Sequence, residues 1–151
     1  MPFDRSDVCA ALNLAMNTEV AGAMGHLDGL KGSLEGEAKS TAGDKHETGR
    51  AMVQLEMEQA INRLKRLEDM VLIWSRMHPE LERSEVRPGA LVHTSMGSFV
   101  IGVAWGAFPG GEQGTCRAIS SDAPLALALQ GRQAGDTVEF RGNRVEVLGV
   151  M

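Results

Sequence analysis

The chain has 151 residues, 43% of them hydrophobic and 23% charged, which suffices for one ordinary core or a small core plus an extended element. Its net charge of −5 argues against a bare nucleic-acid binder, which displaces counterions with a basic surface. No apolar run approaches bilayer-spanning length, and "MPFDRSDVCAAL" lacks the basic-then-apolar plan of a secretory signal.

The first predicted element is a long helix. Leu12, Met16, Val20, Ala23, Leu27, Leu30 and Leu34 recur at intervals of three and four, the period of a helix that buries one stripe. A second stripe, Gly22, Gly25, Gly29, Gly32 and Gly36, runs beside it. Each glycine costs about 1 kcal/mol in a helix interior relative to alanine. The stripe therefore marks either a surface that packs closely on something or a loosely constrained helix held up by its partner.

A polar connector, "AKSTAGDKHETGRA", leads to the second helix, expected from Asp44 to Met77 and roughly 50 Å long. Here Val53, Met57, Ala60, Leu64, Leu67, Val71 and Trp74 form a coiled-coil seam, and Pro79 ends the helix. Two such seams predict an antiparallel coiled-coil hairpin over 1–78 with its tip near 38–48. The basic cluster Arg63, Lys65 and Arg66 reads as a solvated helix face.

Residues 79–88 read as a charged linker. From 89 to 151 come short β-like runs, "ALVHT", "SFVIGVAW", "TCRAIS", "TVEFR" and "RVEVLGV", and one short helix, "APLALALQ". That helix is expected to use Ser121 or Asp122 as its cap, with Pro124 in the first turn. "RGNR" predicts a hairpin turn centred on Gly142 and Asn143, and "GVAWGAFPGGEQG" a loop without the ending of a phosphate-binding motif. The fold class is therefore α+β, with a helical hairpin followed by a small domain of four or five strands. Cys9 and Cys116 lie far apart and outside any CxxC pattern, which fits reduced thiols in the cytoplasm.

The residues with chemistry sit in the connector. Asp44 and Glu47, three apart, can act as a capping box, and both suit the positive end of the helix dipole. At the far end of a hairpin they can also offer two oxygens to a hard cation such as Mg²⁺, whose remaining positions water or another molecule fills. Lys45 and Arg50 can balance local charge or touch a partner's phosphates or carboxylates. His46 beside two carboxylates is a poor zinc set.

The segment "ISSDAPLALALQGRQAGDTVEFRGNRVEVLGV" resembles the C-terminal signature of the bacterial Gre-type transcript cleavage and elongation factors. The matching residues are Ile119, Ser120, Pro124, Ala128, Leu129, Gly131, Gly135, Asp136 and Val138. Arg132 stands in place of the family's usual lysine and Ala123 in place of its serine. Gly43-Asp44-Lys45-His46-Glu47 is similar to the family's Gly-Asp-x-x-Glu tip. The resemblance implies an FKBP-like C-terminal domain and RNA polymerase as partner, with the coiled coil inserted in the secondary channel. It further implies that Asp44 and Glu47 help hold a Mg²⁺ shared with the polymerase, which then hydrolyses its own backtracked RNA. Pro124, Gly131 and Asp136, with Lys45 and Arg50, become partner-contact candidates. The chain would then be an accessory factor with no active site, no tightly bound cofactor, no sequence-specific nucleic-acid binding and no membrane contact.

After the acidic pair the family has Asn-Ala-Glu-Tyr, whereas this chain has Thr48-Gly49-Arg50-Ala51 and no tyrosine anywhere. That departure keeps open a regulator that occupies the channel without stimulating cleavage. A coiled-coil adaptor for another protein is the reading outside this class. A prolyl isomerase fits poorly, because the C-terminal region offers only Phe99, Trp105, Phe108 and Phe140 as aromatics.

Overall fold

The structure is a computed structural model that describes residues 4–38, 44–110 and 114–151. The side chains at 37–38 and 44–47 also lie outside the described residues. Helix α1 spans Arg5–Ala38 and α2 spans Asp44–Arg76. Six strands follow: β1 Leu91–Thr94, β2 Gly97–Gly102, β3 Gly106–Pro109, β4 Thr115–Ser120, β5 Thr137–Phe140 and β6 Asn143–Val150, with α3, Pro124–Leu129, between β4 and β5. The class is α+β, a helical hairpin followed by a small mixed sheet. No helix among the described residues is long and apolar enough to cross a membrane.

The chain forms two compact units. One is the hairpin segment 16–69; the other joins the helix ends, up to residue 15 and from residue 70, to the whole sheet. Within the hairpin unit, Leu27, Leu30 and Ala60 form a buried cluster flanked by Met57 and Leu64, all five on the two seams read from the sequence. Nearer the sheet, Val8, Leu12 and Trp74 are almost fully buried.

The sheet order is β3-β4-β2-β1-β6-β5, with β2 and β4 parallel and the other neighbours antiparallel. Alternation along the strands divides the side chains between two faces. On one face Val92, Phe99, Ile101, Val145 and Val147 pack with Leu125, Ala126 and Leu129 of α3. The opposite parity, Leu91, Val100, Gly102 and Ala118, is buried or closely covered as well. Trp74 and Met77 reach the sheet at Gly102 from that side.

Three local expectations are corrected. The stretch read as a loop contains β3, an edge strand paired with β4 from Gly106↔Ala118 to Pro109↔Thr115; its glycines and proline hid the signal. The β5–β6 turn is centred on Arg141 (φ 50°) and Gly142 (φ 79°), so it falls one residue earlier than expected. Two consecutive positive φ values match the right-handed twist of a two-residue hairpin, and the left-handed position goes to Arg141 instead of Asn143. Its guanidinium lies 5.0 Å from the centre of the Phe140 ring. Finally, the N-cap of α3 is Ala123, with no side-chain bond, and Pro124 opens the helix.

Candidate functional site

Position 44 opens α2 and position 47 lies one turn further along the same side of its backbone. Gly43 and the side chains of Asp44, Lys45, His46 and Glu47 lie outside the described residues. Arg50 is exposed on the second turn of α2. Partial positive charge at a helix start favours carboxylates there, whether they cap the helix or face a cation. No group of three His, Cys, Asp or Glu able to hold a metal occurs among the described residues. Two carboxylates alone would offer only part of a coordination shell for a hard divalent cation.

The hairpin unit carries a shallow depression of about 260 Å³ over Gly22, Ala23 and Ala60. Arg63 Nη2 donates to Glu19 Oε2 at 2.6 Å on its rim. An adjoining depression of about 460 Å³ is lined by His26, Glu56, Gln59 and Arg66. The lining balances two arginines with two glutamates. An added Cβ at any of Gly22, Gly25, Gly29, Gly32 or Gly36 meets nothing within 4 Å. Packing among the described residues thus does not require glycine at these positions.

The candidate residues of the sheet unit lie along the segment from α3 to β5. Pro124 is exposed at its first turn, and Gly131 follows it with φ +77°, a left-handed backbone that glycine adopts without strain. Gly131 N–H donates to Val86 O and Val86 N–H to Arg132 O, both at 2.8 Å. Asp136 Oδ2 accepts from the Gln133 N–H at 2.8 Å, and Val147 N–H donates to Asp136 O at 2.8 Å. Gly131 and Asp136 therefore shape the connection from α3 to β5. Along α3 lies a cleft of about 150 Å³ whose walls include Pro88, Ile101, Asp122 and Leu127. Leu127 is 55% exposed at its edge. Sequence reasoning missed this cleft, because Pro88 and Ile101 become neighbours of α3 only through the sheet.

The cysteines behave as structural thiols. Cys116 is fully buried, its Sγ 3.4 Å from Ser98 O, and burial pushes its pKa up to about 11. Burial also raises that of Cys9, against the opposing pull of Arg5 and Arg83. Both stay protonated near neutrality, when a thiol is a poor nucleophile. Two arginines that the sequence did not single out, Arg5 and Arg83, bind backbone carbonyls where the helices meet the sheet. No family model matches this chain, and no curated protein matches it in sequence.

Proposed function

We propose that the chain is a Gre-like accessory factor of RNA polymerase, whose hairpin enters the secondary channel while the sheet unit binds at the rim. The observation that carries this reading is the start of α2 at Asp44. It puts positions 44 and 47 in the first turn beside the short connector of a two-helix hairpin. The order of hairpin, then sheet with a Pro124-led helix, supports it. Asp44 and Glu47 would present carboxylates to a Mg²⁺ held mainly by the polymerase, a cation that supplies charge stabilisation for phosphodiester cleavage. Lys45 and Arg50 would contact the partner, and the cleft along α3 would seat it on the sheet unit. The acidic chain leaves the phosphate contacts to the polymerase.

The test is a transcript-cleavage assay on stalled, backtracked elongation complexes. The parent chain is expected to accelerate cleavage, and Asp44→Asn to lose that acceleration at least about 10-fold while still binding polymerase. Thr48-Gly49-Arg50 favours a second reading, occupancy of the channel without cleavage. Polymerase binding with no acceleration by the parent selects that reading. Failure to recover polymerase subunits with the chain overturns both and leaves the adaptor.

A further inference from the structure

Segment 77–90, between α2 and β1, contains the 79–88 stretch read as a charged linker and is bonded on both sides. Toward the sheet, Gly89 N–H donates to Ile101 O at 2.7 Å and Val86 N–H to Arg132 O at 2.8 Å. Toward the helices, Arg5 of α1 holds it, while Arg83, inside the segment, ties the segment's own carbonyls together. Arg5, only 7% exposed, donates through Nη1 to Met151 O at 2.6 Å. Through Nη2 it donates to Gly89 O at 3.0 Å and to Pro79 O. Arg83 donates through Nη1 to His78 O at 3.1 Å and Leu81 O at 2.5 Å, and through Nη2 to Met77 O. Both arginines meet at Gly89, whose carbonyl Arg5 binds. A Cβ there would lie 2.5 Å from Arg83 Nη2 and 2.9 Å from Met77 O. His78 takes φ 52°, unusual for a residue other than glycine, and its carbonyl is one that Arg83 holds.

We propose that Arg5, gripping a strap (77–90) whose shape Arg83 sets, forms a clasp that fixes the direction in which the ends of α1 and α2 leave the sheet, and that 77–90 becomes a hinge when the clasp opens. A single apolar contact fixes a point rather than a direction. Trp74 and Met77 against Gly102 supply such a pivot. The planar guanidinium of Arg5 removes rotation about it, because it binds carbonyls of Pro79, Gly89 and Met151 in fixed relative positions. Arg5 and Arg83 are positioning residues in this account, and the clasp stands whatever the hairpin binds.

Arg5→Lys and Arg83→Lys keep the charge and lose the fork, and the intact chain can be followed by NMR. In the parent, residual dipolar couplings of amides in 6–15 and 70–76 should fit the alignment tensor of the sheet amides. In either variant they should depart from it. Exchange of the Leu81 and Gly89 amides should rise roughly 10-fold or more, with β1 and β2 amides unchanged. If the couplings still fit one tensor, or exchange rises equally in strap and sheet, the clasp is overturned and the arginines merely stabilise. Should Arg5→Lys not fold, Arg83→Lys, whose guanidinium is less buried, gives the same readout.

Discussion

The indole of Trp74 lies against the backbone of Gly102: a Cβ added there would sit 3.2 Å from ring atoms Cε3 and Cζ3, and 2.5 Å from the Met77 sulfur. The Trp74 side chain, 2% exposed, thus closes over β2 only because position 102 has no side chain.

Gly102→Ala should therefore destabilise the sheet unit. The Met77 sulfur ends a flexible side chain and can move aside, whereas the ring is confined, so the cost should be that of modest overpacking, about 1–3 kcal/mol. Urea denaturation followed by Trp fluorescence measures it, and Met77→Ala in the same chain should recover part of the loss. An unchanged midpoint for Gly102→Ala would contradict the contact.

The glycines of α1 should behave in the opposite way. Gly25→Ala and Gly29→Ala meet open space and remove backbone freedom from the unfolded chain, so each should add up to about 1 kcal/mol. Thermal unfolding of the double variant should show a higher midpoint. If binding to the polymerase proposed as partner falls while stability rises, the bare helix face is part of that proposed contact.

Cys116 should give stability an alkaline limit. The unfolded thiol ionises near 9.0, while burial holds the folded one near 11. Below 9 both states are protonated and the thiol contributes no pH slope. Between 9 and 11 the unfolded state loses its proton first, so stability should fall by about 1.4 kcal/mol per pH unit. Above the folded value the slope ends. Urea midpoints from pH 8 to 11 check this, and Cys116→Ala should flatten the part of the slope that the thiol causes.

The Glu19–Arg63 ion pair should matter little. Its side chains are 47% and 56% exposed, so water and salt screen it despite the 2.6 Å contact. Glu19→Gln should change stability by less than about 1 kcal/mol, measured by chemical denaturation at low and at 0.5 M salt. A larger loss would mean that the hairpin depends on this pair.

What the sequence made legible follows from where each signal resides. Leu27, Leu30, Ala60 and Leu64 announce the hairpin because helical period and burial coincide within one element. The α2 start at Asp44 was readable for the same reason, since dipole and capping preferences act locally. Edge strand β3 was hidden, because Gly106 and Pro109 look like loop residues and only pairing with β4 makes them a strand. The turn at Arg141–Gly142 was misplaced by one residue, since strand register depends on both partners. Arg5 and Arg83 gave no signal at all: their partners are carbonyls, which every residue possesses, and the partners of Arg5 lie up to 146 positions away. At the candidate tip, the spacing of Asp44 and Glu47 was readable, and what they would bind was not.

The strand order also sets a schedule for synthesis. β6 is the last strand in sequence, yet it lies between β1 and β5, and Leu91 and Met151 exchange backbone hydrogen bonds at 2.9 Å in each direction. As the chain emerges from a ribosome, β1 through β4 would wait with β1's outer edge open until residues 143–151 arrive. Segment 16–69, a compact unit by itself, can pair long before that. Such delayed closure across long sequence separation is slow and leaves an adhesive edge exposed. The interval between residue 94 leaving the tunnel and residue 151 following it is thus the period when nascent chains are most prone to aggregate.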